Sequence, residues 1–201
     1  MNVEPEIGWI TFLVTIFRHL ASGRRYAAIT ALFLVFFYAA TGRPYGTTEF
    51  TLLTGGLQVP DISFTYSSAS VYSLLGAFGQ NGRDIYMSQI LPLDTIFAIT
   101  YLLFFGTTLS ILIRYLLPGM PEFQGLVILP VVGAISDIIE NVCFILVVLM
   151  YPAQLPLVVS FASVFTKLKF VSNGITMALI VIGLLIIGII SAQRIITRRK
   201  T

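Results

Sequence analysis

The sequence predicts an all-α polytopic membrane protein. It is expected to form a four-transmembrane-helix bundle with an N-terminal interfacial helix and a long outer loop carrying a short amphipathic helix. Three observations lead there. Hydrophobic residues make up 57% of the chain and charged residues only 10%, against roughly 25% charged in soluble domains. Mean hydropathy is +0.93. Apolar stretches near the ~20 residues that a helix needs to cross a hydrocarbon layer recur along the chain. At 201 residues there is room for one bundle of spans and no sizeable second domain, so 1–201 is expected to be a single membrane domain.

The run from Ile7 to Leu20 is apolar, with Trp9 near one end and Arg18 and His19 near the other. This suits a helix lying at the membrane interface, where Trp and basic side chains are both at home. A plain N-terminal extension of the first span fits the same residues. The first span covers about 24–41, and Arg24 and Arg25 can snorkel to the interface. Its core, Tyr26 to Ala40, has the composition of a signal-peptide core but is expected to remain as a span or an anchor.

The outer loop covers 42–89. Its first part, Arg43 to Thr65, mixes Gly, Thr and Pro with short apolar runs and is expected to be irregular or extended. After the serine-rich start at Ser67, Val71, Leu74, Leu75 and Phe78 recur at helical spacing and predict a short amphipathic helix. The Gly79-Gln80-Asn81-Gly82 segment is expected to end it with a turn. The remaining spans are expected at about 90–117, closed by Pro118 and Gly119, at about 125–151, followed by Pro152, and at about 171–193. The last of these can reach back towards Ser160.

Lys and Arg near spans stay on the cytoplasmic side. Placing both termini there collects Arg18, Arg24, Arg25, Arg114, Arg194, Arg198, Arg199 and Lys200, and leaves Arg43, Arg83, Lys167 and Lys169 outside. A bacterial inner membrane and an organelle membrane fit equally well. The net charge of +3 needs no further cause, so the basic tail is a topology anchor and nucleic acid is not expected as a partner. With one cysteine, Cys143, there is no internal disulfide or thiol-pair redox chemistry. With one histidine, His19, a histidine-based metal site is not expected.

Chemistry has to come from charges set in or near the bilayer. Asp137, Glu140 and Asn141 lie at i, i+3 and i+4 and so share one helical face near the middle of the third span. A carboxylate at mid-membrane costs about 2.5–3.5 kcal/mol on the translocon scale, which drives such residues into the bundle interior beside partners. The candidate partners are Asp94 and, seven residues on, Tyr101 of the second span, together with Lys167, Lys169 and Arg83. These residues suggest a polar ligand or ion cavity between spans two, three and four that opens outward. Interhelical glue, with no turnover, would use the same residue types.

Four segments carry a resemblance: Gly82-Arg83-Asp84-Ile85-Tyr86, Leu93-Asp94-Thr95-Ile96-Phe97, Asp137-Ile138-Ile139-Glu140-Asn141 and Ser163-Val164-Phe165-Thr166-Lys167. Together, across about Ser67 to Phe170, they resemble the pattern of a group of small, uncharacterised four-span membrane proteins. The resemblance implies no activity. It does imply that the Arg, the two Asp, the Glu-Asn pair and the Lys act as one set. Four-span sterol isomerases are similar in architecture only, since no intramembrane histidine or tryptophan accompanies the carboxylates here.

Three functions remain open at this point. The first is a binding protein or an accessory subunit of a larger membrane complex. The second is a lipid-modifying enzyme of the acid/base isomerase type. The third is a proton- or cation-coupled carrier acting as an oligomer. The second lacks a nucleophile motif, a phosphate-binding glycine loop and metal-ligand spacing, and the third lacks an internal repeat. No cofactor is expected, and a bound lipid is the small molecule the composition leaves room for. Membrane lipids and either a protein partner or a second copy are the expected associates.

Overall fold

The computed structural model describes residues 8–198, and these are helical with no strand among them. Ile7, Arg199 and Lys200, used above for the N-terminal helix and the charge bias, lie outside the described residues. Among the described residues, three helical stretches are long and apolar enough to cross a membrane: Gly79–Leu116, Pro121–Leu149 and Pro156–Ile195. A fourth qualifies only as a pair of helices bent by 95°. This is an integral membrane protein, and its burial pattern agrees. Buried positions include Thr100, Ser110, Ser136, Thr166 and Thr176, while Leu34, Val35, Leu184, Leu185 and Ile189 are exposed. An apolar exposed face over an interior that holds buried polar side chains is what a lipid solvent selects.

The bent pair is α1 (Trp9–Leu20) and α2 (Gly23–Thr41). The bend separates α1 from a straight extension of α2. Phe17 anchors α1 against the bundle at Gly106, where a β-carbon would collide with the Phe17 ring. Leu13, Val14, Ile16 and Leu20 of α1 are half-buried, and Trp9 and Phe12 are exposed.

The 42–89 segment is more ordered than its composition suggests. It holds α3 (Thr47–Leu53), a 3₁₀ turn at Pro60–Ile62, α4 (Ser68–Ala77) and α5 (Gly79–Ile85). The predicted amphipathic helix is α4. Its first turn is closed by a capping box in which Ser67 accepts from the Ser70 amide at 3.1 Å and Ser70 accepts from the Ser67 amide at 3.0 Å. Gly79 to Gly82 does not end the helical path with a turn. Gly79, at φ +64°, supplies one left-handed step and the chain re-enters a helix at once.

That helix continues through a π turn at Tyr86–Ile90 into α6 (Leu91–Leu116). Pro92 explains the widening. It has no N–H to offer and its ring crowds the carbonyl four residues back, and the ladder accommodates this by bonding Leu91 N to Tyr86 O. A 3₁₀ turn at Pro121–Val127 leads into α7 (Ile128–Leu149). The final helix, α8, spans Pro156–Arg198. It therefore begins about four turns before the expected start at Val171, with Pro156 in the first-turn position that proline favours.

Helices α7 and α8 pack along each other, and both pack on α6, which also carries α2. Two apolar clusters result. One joins the folded 42–89 segment to the neighbouring ends of α7 and α8, with Phe50, Val71, Leu75, Tyr86, Phe144 and Val159 at its centre. The other lies within the bundle around Ala98, Tyr101, Phe105, Ala134 and Ile180. A polar layer separates them.

Candidate functional site

The polar layer is built from one residue row on each of three helices. On α7 the i, i+3, i+4 spacing brings Asp137, Glu140 and Asn141 to the interior, where they are 3%, 0% and 0% exposed. On α8 the row is Thr166, Lys169, Ser172 and Thr176, all buried. Its spacing decides which lysine takes part. Lys169 falls three residues after Thr166 and points inward, whereas Lys167 is two positions away from it, on the opposite face, and is exposed.

Lys169 is the hub. Its Nζ donates to Asp137 Oδ1 at 2.9 Å, pairs with Glu140 Oε2 at 2.6 Å and lies 3.4 Å from the Asp61 carbonyl oxygen. Asp137 Oδ2 accepts from the Tyr101 hydroxyl at 3.0 Å. Glu140 Oε1 accepts from Thr166 Oγ1 at 2.5 Å, with the Tyr66 hydroxyl 3.1 Å away. Burial, reinforced by the adjacent Glu140, holds the Tyr66 phenol well above its ordinary range and so keeps it a proton donor. Asn141 donates to Asp94 Oδ2 at 3.0 Å and to Thr95 Oγ1 at 3.2 Å.

Asp61 was not foreseen. It lies in the 42–89 segment, yet the 3₁₀ turn carries it into the layer, where it is 6% exposed and accepts from Tyr86 at 3.1 Å. Burial pushes its carboxyl up to about 7. Lys169 opposes that shift, while Asp94 and Glu140 add to it. The only signal in the sequence is an acid set between Pro60 and Ile62 in an apolar loop, and nothing local connects it to a lysine 108 positions later.

Arg83 does not join the set. Its guanidinium donates to Leu75 O and Gln80 Oε1, each at 2.9 Å, and stacks over the Tyr151 ring at 4.2 Å. It ties the α4–α5 junction to the loop after α7. Of the candidates read from the sequence, then, Asp94, Tyr101, Asp137, Glu140, Asn141 and Lys169 come together, and Arg83 and Lys167 stand apart.

Two cavities meet at the acids. One of about 180 Å³ runs towards the 42–89 segment past Thr41, Thr47, Ile90 and Leu93. The other, about 390 Å³, has aromatic walls from α2 (Phe33, Phe37) and α6 (Phe97, Tyr101, Phe105), with Phe170 and Met177 of α8 opposite and Asp137 and Lys169 at its back. Asp61, Ile62, Asp94 and Phe97 border both. Helix α2 therefore supplies a wall that the sequence did not suggest. Among the described residues no three His, Cys, Asp or Glu side chains converge as a metal-ligand set.

Asp137 and Glu140 thus share Lys169, and Asp61 and Asp94 add two further carboxyl groups to the layer. Fully ionised, Asp61, Asp94, Asp137, Glu140 and Lys169 would carry three uncompensated negative charges in a largely buried layer, which protons or a cation must offset. The chain matches no family model, no curated protein and no solved structure.

Proposed function

We propose that the protein is a non-catalytic membrane binding protein, acting alone or as a subunit of a larger complex, whose buried acidic layer receives a positively charged group. The observation that carries this is the imbalance of four carboxyls in the layer against Lys169, with Asp61, Asp94 and Asp137 lining a 390 Å³ cavity. That volume falls within the range of small-ligand sites. The topology proposed with it has four spans: α2, the α5–α6 helix, α7 and α8. Helix α1, turned 95° from α2 with Trp9 exposed, lies in the interface. Arg18, Arg24, Arg25, Arg114 and Arg194 favour both termini on the cytoplasmic side, which puts the 42–89 segment outside.

The test is ligand-dependent stability of the purified protein in lipid nanodiscs. A bound ligand stabilises by RT ln(1 + [L]/Kd), about 2.7 kcal/mol at a hundredfold excess over Kd. Ethylammonium is expected to stabilise the protein beyond equimolar sodium and beyond a methanesulfonate control, and Asp94→Asn is expected to remove the difference. Equal stabilisation by the anion, or an undiminished effect in Asp94→Asn, would overturn the proposal. A proton-coupled carrier is the second reading, favoured by one observation: Asp61, 6% exposed, borders both cavities, and the burial that raises its carboxyl to about 7 there lets an arriving cation displace its proton.

A further inference from the structure

We infer that the ligand is an ammonium-bearing amphiphile which enters sideways from the bilayer through a crevice between α2 and α8, a reading that rests on the cationic ligand proposed above. Helices α2 and α8 each pack along α6 but not extensively on one another. Between them the larger cavity reaches the lipid-facing surface. Phe37, Phe170 and Met177 form its rim and are 48%, 38% and 47% exposed. In a spanning bundle, side chains exposed at that level meet acyl chains rather than water.

The lining is graded along α6. Asp94 lies nearest the loop end, followed by Phe97, Tyr101 and Phe105, so carboxylates give way to aromatic and apolar surface over 11 residues, roughly 16 Å of helix axis. A small inorganic cation needs only the acids. A long apolar slot beside them matches a charged head with a tail, and aromatic faces next to carboxylates suit an ammonium group in particular. The folded 42–89 segment adds a reason for side entry, since Phe50, Val71, Leu75 and Tyr86 pack over the loop end of the α7–α8 pair.

The geometry predicts different responses for head and tail. Binding of ethylammonium and of dodecylammonium is measured by equilibrium dialysis against nanodiscs of phosphatidylglycerol, which carries no ammonium of its own, with protein-free nanodiscs subtracted. Dodecanol serves as the uncharged control. Met177→Trp fills the crevice at an exposed position, and Val181→Trp places the same bulk elsewhere on the exposed surface of α8. Met177→Trp is expected to weaken dodecylammonium at least tenfold more than it weakens ethylammonium, and Val181→Trp is expected to show no such difference.

If Met177→Trp leaves dodecylammonium binding intact, or weakens both ammonium probes alike, lateral entry falls and the cationic site stands. If neither ammonium probe binds, or dodecanol binds as tightly as dodecylammonium, both fall.

Discussion

Replacing Lys169 with Met removes the positive charge that Asp137 and Glu140 share while keeping a long apolar stem in its place. At an effective dielectric of about 20, unit charges 2.6–2.9 Å apart attract by about 6 kcal/mol. Most of that is spent on desolvating the groups, and removal of one partner from a buried pair typically costs 3–5 kcal/mol. Two carboxyls lose their partner here, so Lys169→Met should cost about 4 kcal/mol or more. Combining it with Asp137→Asn and Glu140→Gln removes the stranded charges and should recover most of the loss, leaving roughly 1–2 kcal/mol for imperfectly satisfied amides. The assay is reversible unfolding in mixed micelles or by steric trapping, applied to the wild type, Lys169→Met and the triple variant. Lys169→Arg is added to keep the charge. A loss below about 1 kcal/mol in Lys169→Met, or a triple variant no more stable than the single one, would refute the assignment of Lys169 as the hub.

Asp61 makes stability and binding depend on pH in opposite ways. Its folded value of about 7 lies above the ordinary 3.8, so the folded state holds a proton that the unfolded chain releases. Its contribution to stability is therefore greatest below about pH 4 and declines as pH rises to about 7, with a slope of at most ~1.4 kcal/mol per pH unit. Cation binding should instead strengthen as pH rises through about 7, and Asp61→Asn should flatten both profiles. Gly133→Ala places a methyl against the Asn173 amide oxygen about one turn from Asp137. It should cost about 1–3 kcal/mol by overpacking, read by thermal unfolding, and weaken ethylammonium binding. Arg83→Gln removes the bond to Leu75 and the stacking on Tyr151. Limited proteolysis should then open the α4–α5 junction first, while ethylammonium affinity stays within about twofold.

Much of the site could be read from spacing because it lies on regular helices. Asp137, Glu140 and Asn141 share a face by periodicity alone, and Tyr101 follows Asp94 by two turns. The same periodicity separates Lys169 from Lys167, but only once the helix is known to run unbroken from Pro156. The inward-facing Ser163, Thr166 and Lys169, with Lys167 on the opposite face, obscured that start, because so many polar side chains together resemble a break in an apolar span. Asp61 and Tyr66 were out of reach for a different reason. Their partners Lys169, Tyr86 and Glu140 are distant in sequence, and no local pattern says how a loop folds back onto its bundle. Arg83 misled because its charge suggested the acids, whereas a nearby ring and two local oxygens satisfy it.

The π turn at Tyr86–Ile90 sets the angular phase of everything that precedes it in that helix. One surplus residue in an α-helix advances the chain by about 100°, so Tyr86 and Asp94 face the same layer only because the turn has absorbed that rotation. A regular ladder over the same residues would swing Tyr86 about a quarter-turn away from Asp61. No side chain in the acidic layer would have been changed, yet Tyr86 would no longer reach Asp61.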